Sequence, residues 1–303
     1  MMKLPKVFLL LLLLACTKEN NTPDSEPILS IETEIKITKA WSQEPNGWTY
    51  PVFLHIPTSE PPVTGFPVLI LLHGNGGDGK GIIQEFRNLL SCHILVSISG
   101  YRKSWNINDE ESDAPDLEMI EDLTNQLKTF KNVNSDKIRI LGYSNGSALA
   151  NRIFVENKDE SIDLVVGIVS QLSNAQYRNG KFFKPSGTTG SSFPNNGYDS
   201  ETIPLKNRSY LNICNENDPV VPYFGGEFYG INFMNAQDAI LAIALSQGLN
   251  MNESPATPRI IANGTLEEFA YLNQQVVHLK GQAEHGIPEM ANQYIVDFLA
   301  DCD

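Results

Sequence analysis

The chain has 303 residues, 41% of them hydrophobic, and carries 22 lysines and arginines against 36 aspartates and glutamates, a formal net charge of −14. Nothing in it concentrates positive charge on one face, which excludes nucleic acid or an anionic membrane surface as the main partner. Its cysteines form no Cys-x-x-Cys pair, and no His-Glu-x-x-His or EF-hand-like run occurs, so neither a metal nor a cofactor is expected.

In chain order, Lys3 and Lys6 precede an apolar run, Val7 to Leu14, that is far shorter than a membrane span. Residues 1–15 are therefore predicted to be an export signal. Leu14-Ala15-Cys16 resembles a bacterial lipobox, and that likeness implies lipidation of Cys16, membrane contact through the lipid alone, and residence in the cell envelope. Residues 16–30 are polar and proline-bearing, as in a flexible tether. Residues 31–303 are long enough for a single α/β domain with one large core.

Thr33 to Ala40 and Trp48 to Thr58 read as antiparallel edge strands, and Phe66 to Leu72 as a strand buried on both faces. A helix is predicted over Gly81 to Ser91 and a strand over His93 to Ser99. Leu117, Ile120, Leu123 and Leu127 form the stripe of a helix that runs to Phe130. Strand Ile138 to Leu141, helix Ala148 to Glu156 and strand Leu164 to Ser170 follow. Residues 174–208 lack periodicity and are rich in Gly, Ser, Pro and Asn, which predicts a lid or binding loop. Tyr210 to Cys214 and Gln274 to Leu279 read as the last strands, Ala236 to Gln247 and Glu289 to Leu299 as the last helices. Such alternation predicts a mostly parallel sheet, with a site at the carboxyl ends of its strands.

Gly142-Tyr143-Ser144-Asn145-Gly146 lies where the predicted strand Ile138 to Leu141 gives way to a helix. A G-x-S-x-G sequence there lets the chain turn sharply and presents the serine at a helix N-terminus, whose partial positive charge favours a developing oxyanion. A nucleophilic serine needs a neutral imidazole to accept its proton and a carboxylate to orient that imidazole. Asp218 ends the Tyr210 strand region in Asn-Asp-Pro-Val-Val-Pro-Tyr. His285 lies in a loop, Gly-Gln-Ala-Glu-His-Gly-Ile-Pro. Rival carboxylates Asp238 and Asp297 fall in predicted helices, and His278 lies within a strand. The expected catalytic set is thus Ser144, Asp218 and His285.

The glycine-rich loop His73-Gly74-Asn75-Gly76-Gly77-Asp78-Gly79-Lys80-Gly81 admits three readings. As G-x-G-x-x-G it suggests a dinucleotide site, but the next strand ends in Ser-Gly-Tyr-Arg with no acid for a ribose. As a P-loop it places Gly81 where Ser or Thr is needed to bind Mg²⁺. As a His-Gly loop it supplies backbone N–H groups to an oxyanion, and this is the favoured reading.

Taken together, Leu-Leu-His73-Gly74, the Ser144 pentapeptide, Asp218-Pro219-Val-Val-Pro222-Tyr223 with Gly225-Gly226, and His285 resemble the polyhydroxybutyrate depolymerase/feruloyl esterase group of α/β-hydrolases. The likeness covers about residues 35–300. It implies an α/β-hydrolase fold, a serine esterase activity, and an oxyanion hole made by the N–H groups of Asn75 and Asn145. It also implies a pocket role for Trp105, while Tyr223 and the lid aromatics Phe182 and Phe183 are candidate substrate contacts. Feruloyl or acetyl esters of polysaccharides are the expected substrates, with storage polyesters or a non-catalytic binding role as alternatives. Three positions depart from the group's pattern: Cys214-Asn215 for His-Gly, Gly286-Ile287 for x-Trp after the base, and Ser147 for a further glycine.

Overall fold

The computed structural model describes residues 26–250 and 256–300. The predicted signal segment, Cys16 and most of the tether lie outside the described residues.

Strands β1 (Ile37–Trp41) and β2 (Glu44–Tyr50) form a separate hairpin, while β3 (Val52–His55) joins the main sheet. The single strand expected over Trp48 to Thr58 is thus broken in two at Pro51, which has no N–H to continue a ladder. Then follow β4 (Phe66–Leu72), α1 (Gly79–Phe86), β5 (Ile94–Ile98), α2 (Asp116–Leu127), β6 (Val133–Tyr143), α3 (Asn145–Glu156) and β7 (Ile162–Ile168). Strands β8 (Tyr177–Arg178), β9 (Lys181–Pro185) and β10 (Tyr198–Thr202) come before β11 (Ser209–Asn215). Strands β12 (Gly226–Phe228) and β13 (Ile231–Phe233) precede α4 (Ala236–Gln247). The chain closes with β14 (Arg259–Ile261), β15 (Leu266–Tyr271), β16 (Val276–Gly281) and α5 (Ala291–Phe298).

The central sheet is nine-stranded, in the order β14-β15-β16-β11-β7-β6-β4-β5-β3. The run from β16 to β5 is parallel throughout, and the antiparallel strands lie at the two edges. Alternation along β4 explains why it reads as an unbroken apolar run. Val68, Ile70 and Leu72 face the core shared with α2, α3 and α4, whereas Leu69 and Leu71 face the core shared with α1 and α5. Both faces are covered, so period-two polarity never appears.

Strands β14 and β15 had no counterpart in the sequence pattern. Glu268, in the middle of β15, is only 3% exposed, and Arg259 of β14 pairs with both its oxygens at 3.1 and 2.7 Å. A buried carboxylate whose partner is supplied across strands disrupts the apolar alternation that would mark a strand.

The segment 174–208, expected to be a structureless lid or binding loop, contains the three-stranded antiparallel sheet β10-β9-β8. Its strands are short and polar, and they pair only with one another. Its far end performs a structural task. Arg208, 2% exposed, donates to the carbonyls of Ile153, Phe154, Asn157 and Asp159 at 3.3, 3.2, 3.0 and 2.7 Å. These carbonyls lie at and just beyond the C-terminus of α3, where helical acceptors are otherwise orphaned and a cation is favoured. Burial holds the guanidinium below its ordinary range, at about 10, and it remains charged at neutral pH. The helix that begins at the nucleophile is thereby pinned at its other end.

Candidate active site

Ser144 follows β6 directly and has φ 53°, ψ −116°, a backbone region that a residue bearing a Cβ adopts only under constraint. Its own amide is tied to Ile168 O of β7 at 2.8 Å. The flanking glycines are required by contact. A Cβ on Gly142 would lie 2.1 Å from Gly146 O, and one on Gly146 would lie 2.2 Å from Leu72 O. Strand β4 and helix α3 therefore meet backbone to backbone at this turn. Gly74 is constrained in the same way, since its Cβ would approach the Tyr143 ring at 2.9 Å and Ser144 Cβ at 3.4 Å.

Ser144 Oγ lies 2.8 Å from His285 Nε2, and His285 Nδ1 lies 2.8 Å from Asp218 Oδ2. The Asp218 side chain is 2% exposed and that of His285 21%. The other carboxylate oxygen, Oδ1, accepts from Val220 N at 2.7 Å and Val221 N at 3.0 Å, which fixes its orientation in the Asp-Pro turn. Three side chains from loops after β6, β11 and β16 thus form one hydrogen-bonded line. Neither rival acid takes part: Asp238 and Asp297 lie in α4 and α5. His278 is fully buried in β16 between Asn212 Oδ1 and Tyr223 OH, each at 2.9 Å, and burial lowers its pKa to about 3.

The His285 loop is held from below by a residue that departs from the group's pattern. Asn215, at the end of β11, donates through Nδ2 to Glu284 O at 2.7 Å and to Gly286 O at 2.8 Å, the carbonyls on either side of the histidine. Tyr143 OH donates to His285 O itself. In the sequence Asn215 stands out only as a departure from the group's pattern; its role is not legible there, because its partners lie 69 and 71 residues further along the chain.

Across Ser144, the His73 loop and the start of α3 present the amide N–H groups of Asn75 and Asn145, and no internal acceptor takes either one among the described residues. The Asn145 side chain is locked: Oδ1 accepts from Trp105 N at 2.8 Å, and Nδ2 donates to Trp105 O and to Glu110 Oε1 at 3.3 and 3.2 Å. His73 serves the scaffold. Its Nε2 accepts from Gly100 N at 2.9 Å, so Nδ1 carries the proton and donates to Gly74 O at 2.7 Å. Asp78 caps α1 through Gly81 N at 2.7 Å, which puts a carboxylate where a nucleotide's phosphate would have to sit.

A cavity of about 730 Å³ opens over Ser144 and Asn145, and none of the four residues expected to touch substrate lines it. Trp105 is completely buried, stacks on His73 and donates from its indole to His73 O at 2.7 Å. Tyr223 is 2% exposed, with its hydroxyl on His278. Phe182 is 6% exposed and packs on Tyr177, while Phe183 lies under the Arg178 guanidinium at 3.5 Å. These aromatics are framework: Trp105, Tyr223 and Phe182 are buried, and half-buried Phe183 is covered by Arg178. The wall is made by Ile107, Tyr198, Gln171, Val221 and the β12–β13 hairpin with Phe228, Tyr229, Ile231 and Phe233. The strands of that hairpin are three residues each and its turn is Tyr229-Gly230, so the sequence carries no strong hairpin signal there.

Behind this wall Asp116, 2% exposed, accepts from Tyr50 OH at 3.1 Å and Asn106 N at 2.8 Å. Burial pushes its carboxyl from 3.8 up to about 7. The native state therefore holds a proton there that the unfolded chain releases, and the associated stability is present at acid pH and lost as pH rises through neutrality. Thermal melts should show stability falling between about pH 4 and about pH 7. In Asp116→Asn that part of the fall should disappear.

A mostly parallel sheet covered by helices on both faces, with a serine elbow after one central strand and an acid and a histidine after later ones, is the α/β-hydrolase fold. No family model and no curated protein matches the chain. Among solved structures it is similar to a carboxylesterase from Bacillus cereus, with 13% identity, TM-score 0.53, and coverage of 83% of this chain and 93% of that one. It is also similar to an acetyl xylan esterase from Aspergillus awamori, with 10% identity, TM-score 0.56, and coverage of 82% and 93%. At such identities the likeness is one of fold.

Proposed function

We propose that the chain is a serine carboxylic-ester hydrolase that acts on acyl esters carried by polysaccharides. The observation that carries this reading is the continuous Asp218–His285–Ser144 line, with both links at 2.8 Å, beneath two free amides. In the first half-reaction Ser144 Oγ attacks the ester carbonyl while His285 Nε2 takes its proton, and Asp218 stabilises the imidazolium. The N–H groups of Asn75 and Asn145 hold the oxyanion, where loss of one donor typically costs about 3 kcal/mol. The imidazolium then protonates the leaving alcohol. Water repeats the sequence on the acyl-enzyme and releases the acid.

The wide, partly polar cavity supports a substrate larger than a simple ester, with acetyl or feruloyl as the acyl group. The motifs around Ser144 and Asp218 support a relation to the polyhydroxybutyrate depolymerase/feruloyl esterase group. Cys92 is disulfide-bonded, and such bonds persist in oxidising compartments, which supports an exported chain; the lipobox-like Leu14-Ala15-Cys16 supports its lipid anchor. The test is a panel of p-nitrophenyl acetate, methyl ferulate, acetylated xylan and hydroxybutyrate oligomers, run beside a fluorophosphonate probe. Absence of an adduct on Ser144 in folded protein would reject hydrolysis. Turnover confined to hydroxybutyrate oligomers would reject the polysaccharide ester.

The Asn215 clamp gives a separate expectation. Asn215→Gly releases the carbonyls of Glu284 and Gly286, and the histidine loses its fixed height over Ser144. Misplacement by about 1 Å can cost roughly 100-fold, so kcat should drop by about that factor with KM little changed. Steady-state kinetics on p-nitrophenyl acetate checks it, and an unchanged kcat would show that Tyr143 alone suffices.

A further inference from the structure

Three aromatic side chains are substantially exposed among the described residues: Phe193 at 44%, Phe224 at 65% and Tyr229 at 84%. All three lie on segments that frame the cavity mouth. Phe224 stands between Val221 and Phe228, both of which line the cavity. The loop bearing Phe193 is tied to the cavity wall by Ser191 N on Asp109 Oδ2 at 2.8 Å. It is also tied to the tip of the β12–β13 hairpin by Asn196 Nδ2 on Gly230 O at 3.0 Å.

Tyr229 stands at that tip and lines the cavity. Its φ of 48° is one that a bulky side chain adopts only under constraint, and a glycine or asparagine would relieve it. The hairpin holds this shape through polar ties. Asn174 N donates to Asn232 O at 2.8 Å, and Asn174 Nδ2 donates to Asn232 Oδ1 at 3.0 Å. Phe228 meets the Tyr229 ring edge-on at 4.4 Å and supports it from one side. A strained backbone that keeps a large ring in water at the rim of a cavity calls for a ligand.

The chemistry of the rim selects the ligand. A ring face this open stays wet on binding, which suits a partner whose remainder also stays in water. A sugar ring has an apolar C–H face and a hydroxylated edge and meets that requirement. An aryl acid gains its affinity by full burial and does not. Around the same mouth Asp109, Glu110 and Glu111 outnumber Arg102 and Lys103, on a chain of net charge −14. That balance repels a polyanion and admits a neutral chain with hydroxyls to donate.

We infer that Tyr229 is the stacking platform for a sugar ring of a neutral polysaccharide, which lies across the cavity mouth while its ester enters toward Ser144. The position of the ester rests on the hydrolase reading above; binding of the glycan does not. The test uses the Ser144→Ala protein and an ester-free neutral xylan in affinity electrophoresis, with polygalacturonate as the acidic arm. The xylan should retard the protein, and adding Tyr229→Ala should weaken binding by about tenfold. With Ser144 intact, Tyr229→Ala should raise KM for acetylated xylan by a similar factor, and by several-fold more than it raises KM for p-nitrophenyl acetate or methyl ferulate. Lack of retardation, tighter binding of polygalacturonate, or equal losses on small and polymeric esters would overturn the inference. If xylan binds but p-nitrophenyl acetate is not turned over, the platform stands and the hydrolase reading falls.

Discussion

Ser144→Ala should abolish ester turnover, with kcat falling by roughly 10⁴-fold to 10⁶-fold, while the melting temperature stays close to that of the parent. The expectation follows from the atoms removed. Only the hydroxyl is lost, and it contributes one hydrogen bond, to a half-buried imidazole. Removing it leaves the backbone turn, the Asn75 and Asn145 amides and the Asp218–His285 pair in place. Residual catalysis from oxyanion stabilisation and binding alone typically remains about 10³-fold above water, which sets the floor of the measurement. The strained φ of 53° costs on the order of 1–3 kcal/mol, and alanine bears that cost as serine does. Stability should therefore stay near neutral. Single-turnover assays and a fluorophosphonate adduct check read out chemistry, and thermal melts read out the fold. Retention of activity within an order of magnitude would mean that the nucleophile lies elsewhere.

Gly146→Ala should be nearly as damaging by the opposite route, because every reactive atom is kept and their support is moved. The added methyl would sit 2.2 Å from Leu72 O and 2.6 Å from His73 O. Both acceptors are backbone at the end of β4, so no side chain can rotate away. Either α3 lifts off the sheet or the His73–Asn75 loop is displaced, and each movement separates Asn75 N–H from Asn145 N–H. Overpacking of this kind costs about 1–3 kcal/mol and more where backbone must move. A shift of about 1 Å between the donors and Ser144 would cost a further 100-fold or so in rate. Gly187→Ala is the matched control, since a Cβ there meets nothing within 4 Å. Melting temperature and kcat/KM measured for both variants decide the matter. If Gly146→Ala behaves like Gly187→Ala, the turn has slack that the backbone contact denies.

The two variants mark how far the site can be read from the sequence. Gly142, Ser144 and Gly146 were legible because the elbow is local: a few consecutive residues carry both the geometry and the chemical group. Asp218 was legible through its Asp-Pro turn and His285 through its glycine- and proline-flanked loop, each at the end of an apolar strand. Their convergence was an expectation from chain order, and the hydrogen-bonded line supplies its geometry. The aromatic assignments went the other way. Phe182, Phe183, Trp105 and Tyr223 were singled out for ring chemistry and for the segment or motif they occupy, but whether a ring faces a cavity or a core is set by residues distant in sequence. Tyr223 turns inward because His278 of β16 offers its hydroxyl a partner. Trp105 turns inward because His73 O accepts its indole N–H. Tyr229 carries no local mark, because nothing in the sequence around it distinguishes an exposed hairpin ring from a buried one.

By itself the sequence determined the parallel sheet, the order of nucleophile, acid and base along it, and the glycines that let backbones touch. These depend on apolar periodicity and on turn chemistry that acts within a few residues. Tertiary structure alone decided which wall the cavity has, that Asn215 holds the histidine loop, and that Arg208 closes the nucleophile helix. The first depends on which rings turn to the core and the other two on a polar side chain meeting carbonyls dozens of residues away, and short-range pattern carries no record of such meetings.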